Sequence, residues 1–261
     1  MDFSNEAPKK VRELIRKGEI DYQTSGMCNG FAQGNLCILP KKYAFDFLLF
    51  CNRNPKPCPL LEVGDVGSKV IKSMADNGDI CKDLPKYRIW KNGVLEKEVT
   101  DITEYWQDDF VYFLIGCSFS FEGELIESGV PVRHIEEGKN VPMFNTNIRL
   151  NPAGVFHGNM VVSMRPIPQE LVVKSVNVTA TMSRVHGAPI HIGSPEAIGI
   201  ADVSKPDYGD AVTINDGEVP VFWACGVTPQ NAVMQTKPEI AITHAPGHMF
   251  ITDVKNVNLK Y

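Results

Sequence analysis

Two cysteines of this chain stand in matched settings. "FLIGCSFSFEGEL" places Cys117 after an apolar run and ahead of Ser118 and Ser120, and "VFWACGVTPQNAV" places Cys225 after another, ahead of Thr228 and Gln230. Each stretch reads as strand, turn, helix. In open α/β sheets, ligands gather beyond the carboxyl ends of strands, and a helix starting there offers backbone N–H groups and a positive dipole end to an anion. A thiol in that place can become a thiolate, and the neighbouring hydroxyls and amide add hydrogen-bonding groups. Cysteine is also a common buried residue at strand ends, so each taken alone has a structural reading; the repeated setting is what brings the reactive reading level with it.

Histidines form a second set, in "SRVHGAPIHIG" and "THAPGHMF". His186 and His191 are five apart and His244 and His248 four apart, but Gly or Pro interrupts both pairs. Neither lies on an ordinary helix face, and the helical zinc motif also needs a glutamate beside its first histidine. A loop-built metal site using both segments stays open, although no carboxylate or cysteine stands at tight spacing. Acid-base or hydrogen-bonding work is the commoner use of such loop histidines.

Arg133, Arg149, Arg165 and Arg184, with Asn145, Asn147 and Asn151, form the third set. A guanidinium is the usual bidentate clamp for a carboxylate. Arg165 and Arg184 lie closest in sequence to the Gly- and His-rich loops, while most arginines serve as solvated groups or structural ion-pair partners.

"GMCNGFAQGNLCILP", from Gly26 to Pro40, packs three glycines, three amides and two cysteines together. A P-loop would need Gly-Lys-Ser/Thr, whereas Gly34 is followed by Asn35-Leu36; a dinucleotide fingerprint needs Gly-x-Gly-x-x-Gly, whereas these glycines are four apart. Both motifs are missing. The stretch reads as a loop between two helices, in which Asn29, Gln33 and Asn35 line a neutral wall suited to an amino acid. Glycines that simply let two helices pack closely are the other reading.

The elements that position these groups follow from local pattern. "APKKVRELIRKGEI" reads as an amphipathic helix, and "KKYAFDFLLFCNRN" as a helix opened by Pro40. "YRIW-KNG-VLEKEV" reads as a hairpin with Lys91 near its tip, because Asn-Gly suits a turn with positive φ. The runs ending at Cys117 and Cys225 are apolar throughout, as strands covered on both sides should be, and they suggest two related halves. Residues 131–190 are rich in Pro, Asn and Gly and read as an inserted subdomain. Within it, "ELVVKSVNVTATM" suits a helix opened by Pro168, although its β-branched residues also allow a strand. "EIAITHAPGHMFITD" reads as strand, loop, strand.

The 261 residues carry a formal charge of −5, with 43% hydrophobic and 22% charged residues. Those values suit a globular protein with a substantial core, and they argue against nucleic acid or an anionic membrane as partner. There is no signal-peptide core or membrane span, and seven cysteines without a framework suggest free thiols, so a cytoplasmic protein is expected.

Taken together, "GMCNGFAQGNLCILPKKYAFDFLLFCNRNPKPCPLLEVGD", "FLIGCSFSFEGELIESGVPVRHIEEGKNVPMFNTNI", "HGAPIHIGSPEAIGIADVSKPDYGD", "VFWACGVTPQ" and "ITHAPGHMFITD" resemble the D-glutamate cyclase family, also described as hydro-lyases. The blocks run in the family's order and cover most of the chain. The resemblance implies an α/β fold: a three-layer α/β/α sandwich, here residues 1–130 and 191–261, carrying a smaller two-layer α/β subdomain, here 131–190. It also implies the conversion of D-glutamate to 5-oxo-D-proline and water, the reaction credited to a larger mitochondrial protein that contains a related domain.

That reaction needs no cofactor and no metal, and positioning can supply much of its acceleration because nucleophile and electrophile share one molecule. Main-chain N–H groups and hydroxyls after Cys117 and Cys225 would serve the oxyanion. Glu122, His186 or His248 would move protons, an arginine such as Arg165 or Arg184 would hold the α-carboxylate, and Asn147 would help bind the substrate. The expected partner is a small amino-dicarboxylate or 5-oxoproline, in a chain compatible with a homo-oligomer. An opposed cysteine pair is also similar to that of cofactor-free glutamate racemases, by analogy alone. The alternative is an accessory protein that binds 5-oxoproline or an amino acid without turning it over.

Overall fold

The computed structural model describes residues 2–260. In chain order the elements are α1 (Pro8–Arg16), β1 (Phe31–Pro40), α2 (Lys41–Arg53), β2 (Leu60–Val63), β3 (Tyr87–Lys91), β4 (Val94–Val99), β5 (Phe110–Gly116), α3 (Phe119–Glu127) and α4 (Arg133–Glu136). There follow β6 (Met143–Arg149), β7 (Asn159–Pro168), α5 (Val172–Ala180), β8 (His191–Ile192), β9 (Glu218–Ala224), α6 (Val227–Thr236), β10 (Ala241–His244) and β11 (Phe250–Lys255). The fold is mixed α/β with two antiparallel sheets.

β5 and β9 form where β-branched and aromatic residues accumulate, and each gives way to a helix directly after its cysteine. β5 is buried along its whole length because alternate residues feed two cores. Tyr112 and Leu114 join Leu36 and Ile38 of β1 with Phe121 and Leu125 of α3. Val111, Phe113 and Ile115 join Cys37 and Leu39 with Phe47 and Phe50 of α2 and Val233 of α6. Phe47 meets Phe113 edge-on at 4.8 Å and Phe156 at 5.1 Å. Each such buried ring contributes roughly 1.5–3 kcal/mol of transfer free energy. The first helix buries Val11 and Ile15 as its periodicity requires, the 172–180 run is a helix, and Asn92 and Gly93 turn the β3–β4 hairpin at φ 50° and 77°.

The first sheet contains the series β11–β1–β5–β2 and the second is β6–β7–β9–β8. The two series agree in register. Gly34 opposes Gly116 and Pro40 opposes Phe110 across β1 and β5; Val162 opposes Ala224 and Pro168 opposes Glu218 across β7 and β9. On the other flank Gln33 pairs with Ile251 and Gly34 with Phe250, as Val161 pairs with Asn145 and Val162 with Phe144. Both central strands run ten residues and end in proline, so the two related halves expected from the cysteine settings are present as backbone. β10, β3 and β4 extend only the first sheet.

One element differs from expectation. Residues 31–40 are not a loop between helices but the central strand β1, paired with β5, β10 and β11. A strand buried on both faces shows no apolar-polar alternation, and its glycine and amides hid it. The second sheet takes β6 and β7 from residues 131–190 and β8 and β9 from the segment after them, so residue 190 falls inside it.

Candidate functional site

The two strand-to-helix junctions meet. Cys117 N–H donates to the Gln33 carbonyl at 3.1 Å and Cys225 N–H to the Val161 carbonyl at 3.0 Å, the same bond at equivalent positions. The Asn35 side chain donates to the Gly116 carbonyl at 2.8 Å and lies against Gly226, where an added Cβ would stand 1.9 Å from its amide nitrogen. Gly116 is equally constrained, since a Cβ there would come within 2.1 Å of the Arg184 carbonyl. Both thiols then sit in one small apolar cluster with Phe119, Val141, Met143, Val161, Val227 and Met249.

Burial raises the pKa of both cysteines. Cys225 is pushed up to about 11, partly offset by N–H donation from Val227, the Arg165 charge and the Gly226 N–H. Cys117 is raised further, with the Phe119 N–H and Arg165 opposing burial. Each sulfur thus faces the N–H two residues onward, at the first turn of its helix, and one guanidinium favours the thiolate of both.

Arg165 is fully buried and forms a network with Glu122. Its Nη2 donates to Glu122 Oε1 and, at 3.1 Å, to Ser118 Oγ, while Nη1 donates to Ser163 Oγ at 3.1 Å. Phe121 and Trp223 lie against the guanidinium, at 5.1 and 5.4 Å from the ring centroids. Its Nε–H has no partner among the described residues. Glu122 also meets His134 Nε2 at 3.1 Å and accepts from Ser25 Oγ at 3.1 Å. Burial alone would raise the Glu122 pKa, but His134 and Arg165 hold it near 2. Glu122 is therefore held as an anion between Arg165 and His134, where the resemblance gave it as one candidate to move protons.

Several expected ligand groups are already committed. The Ser120 hydroxyl accepts from Gln33 N–H at 2.9 Å, and that of Thr228 from Val161 N–H at 3.0 Å, so neither is free for an oxyanion. The Gln33 amide is held by Thr24 and Met27 and that of Asn35 by main-chain carbonyls, so the amide wall is structural, with Asn29 exposed at its margin. Together with Glu122 and Phe119, Asn29 and Gln33 line a cavity of about 10 Å³, room for one water. Asn147 is exposed on β6 against Gly199, away from the junction, and Arg184 brings its main chain to Gly116.

His186 is buried beside the first junction, at φ 83°, with Nδ1 2.9 Å from the Lys56 carbonyl and Nε2 unpartnered. Burial lowers its pKa to about 4, so the imidazole is neutral. Gln230, five residues after Cys225 as Glu122 is after Cys117, has no partner at either amide atom. Among the described residues no three His, Cys, Asp or Glu side chains converge in a metal-binding arrangement.

His248 lies elsewhere, in an open groove of about 380 Å³ lined by Lys86, Arg88, Asn140 and Tyr208. Burial lowers its pKa. Tyr208 joins this groove to the cysteines, because it packs on their apolar cluster and its hydroxyl donates to Asn231 of α6 at 3.3 Å. Sequence reasoning missed His134, Ser163 and Tyr208. Ser163 alone carried a signal: it lies two residues before Arg165, on the same face of a strand.

A family model described as D-glutamate cyclase matches residues 111–253. A "Putative hydro-lyase" of Clostridium beijerinckii is 63% identical over the full length of both chains. "Putative hydro-lyase YcsI" of Bacillus subtilis is 62% identical over 97% of this chain and 98% of its own. A relative of the same description from Psychrobacter arcticus is 57% identical over 99% and 98%. Among solved structures, a nitrogen repressor-like protein, MJ0159 of Methanococcus jannaschii, gives a TM-score of 0.39 at 10% identity over 94% of this chain and 97% of that one, too loose to carry an argument. No helix among the described residues is long and apolar enough to cross a membrane.

Proposed function

The chain belongs to the D-glutamate cyclase family, and from that premise we propose that the paired junction is the active site of a hydro-lyase acting on a small amino-dicarboxylate, closing D-glutamate to 5-oxo-D-proline. The α-amine attacks the γ-carboxyl carbon, an N–C bond forms, a C–O bond breaks, and the oxygen leaves as water. The observation that carries this reading is the unpartnered Nε–H of buried Arg165, a cationic donor whose charge reaches both thiols. A carboxylate is the ligand that satisfies such a donor.

Glu122 and His134 hold the guanidinium in place, and Ser118 Oγ, bonded to it, is the hydroxyl nearest the first junction. N–H groups at the starts of α3 and α6 suit the developing oxyanion, and neutral His186, with a free Nε2, suits transfer of the amine proton. Product and substrate would pass by the Tyr208 groove.

The test is an NMR time course of D- and L-glutamate with purified protein. Formation of 5-oxoproline from the D-enantiomer supports the proposal. Binding of 5-oxoproline without turnover would instead identify an accessory binding protein, and neither binding nor turnover removes both readings.

A further inference from the structure

Cys117 and Cys225 share four backbone relationships. Each follows the third strand of its series, donates its N–H to the central strand, faces the N–H two residues onward, and precedes by three residues a hydroxyl bonded back to that strand. The two series bring the same position, at the end of the third strand, into one cluster. Here that position is a thiol in both series, and the two thiols share one apolar cluster and one buried guanidinium. Lactam formation has no use for a second, equivalently placed thiol. A reaction that needs one proton carrier on each face of a single carbon does.

We infer that Cys117 and Cys225 form a two-base pair that exchanges the Cα proton of the bound amino-dicarboxylate or its lactam, with one sulfur on each face of the carbon. One sulfur, as thiolate, takes the Cα proton; the other, as thiol, delivers its own proton to the opposite face. The carbon is inverted, the pair ends with its protonation swapped, and no oxidant, reductant or cofactor is consumed. The α-carboxylate, on which negative charge accumulates as the proton leaves, is held by the free Nε–H of Arg165, a buried donor with no partner among the described residues. The apolar lining supplied by Phe119, Val141, Met143 and Met249 keeps water from competing for the carbanion.

This inference rests on the same site holding the same ligand as the proposed function, and one experiment separates their failures. D-glutamate, L-glutamate and both enantiomers of 5-oxoproline are incubated with the protein in D2O and followed by proton NMR and chiral chromatography. The expected result is loss of the Cα–H signal and appearance of the antipode for at least one of these probes. Cys117→Ser and Cys225→Ser should each slow inversion by about 100-fold or more, and each should leave any residual exchange confined to one enantiomer. No deuterium above the protein-free control overturns the inference, as does inversion unaffected by both substitutions. Lactam formation without Cα exchange overturns it and leaves the cyclase reading standing; exchange without lactam does the reverse. Should the variants fail to fold, the wild-type deuterium result still decides.

Discussion

Ser120 and Thr228 are bonded alike: each hydroxyl accepts a central-strand N–H, from Gln33 at 2.9 Å and Val161 at 3.0 Å, and donates to the carbonyl of that same residue at 3.3 and 3.2 Å. These hydroxyls tie the first turn of a helix to the strand beside it. Ser120→Ala and Thr228→Val should each leave a buried N–H unsatisfied and cost about 1–3 kcal/mol in chemical denaturation. A change well below that in both would show that the matched bonds do not hold the junctions.

Removing the Glu122 charge strands Arg165 and His134 in the interior. Glu122→Gln should destabilise by about 3–5 kcal/mol, the usual cost of breaking a buried pair. The same group shapes acid unfolding. Its folded pKa, near 2, lies below the ordinary 4.5, so its contribution is complete above 4.5 and is lost as pH falls toward 2. Buried His186 and His244, both held near 4 rather than 6.5, act earlier, because between those values the unfolded chain binds more protons than the native one. Denaturation midpoints should therefore begin to fall below pH 6.5, through the two histidines down to about 4, and keep falling from 4.5 toward 2 through Glu122. A midpoint that stays flat to pH 4 would contradict the buried neutral histidines.

The parts of this fold that were legible in the sequence are those set by local pattern. Phe110–Gly116 and Glu218–Ala224 are dense in strand-forming residues and stop at a cysteine before helix formers, and Asn92-Gly93 sits between two short strands. Phe31–Pro40 was not legible, because its partners β5, β10 and β11 lie far along the chain and only their pairing makes Gln33, Gly34 and Asn35 interior residues. Arg165 and Glu122 were legible as candidates by residue type. Their bond to each other was not, and neither was the part of His134, which comes from a short helix in an irregular segment.

Thiol reactivity should track the raised pKa values. At pH 7 both junction cysteines should alkylate slowly, and the Cys225 rate should rise about tenfold per pH unit toward pH 11, since only the thiolate reacts. Arg165, Cys117 and Tyr208 act on Cys225 electrostatically. Tyr208→Ala, which opens the groove onto the cluster, should speed labelling of Cys225. Fast labelling of both cysteines in the wild type at neutral pH would contradict the raised pKa values.

Arg165→Lys keeps the charge but not the planar fork that spans Glu122, Ser118 and Ser163 while leaving Nε–H free. Affinity for D-glutamate or 5-oxoproline, read by calorimetry, should fall by about tenfold or more, in line with a loss of at least 1.4 kcal/mol. Unchanged affinity in a folded variant would place the carboxylate elsewhere.

Whether the two junctions form one ligand site is read most directly by protection of their cysteines. Alkylation at pH 9, followed residue by residue by mass spectrometry, is compared with and without D-glutamate or 5-oxo-D-proline, using buried Cys28 of the α1 cluster as internal reference. At a ligand concentration about ten times its Kd, Cys117 and Cys225 should both slow by about tenfold while Cys28 does not change. Protection of neither cysteine by any of the ligands, or of one alone, would contradict a shared site.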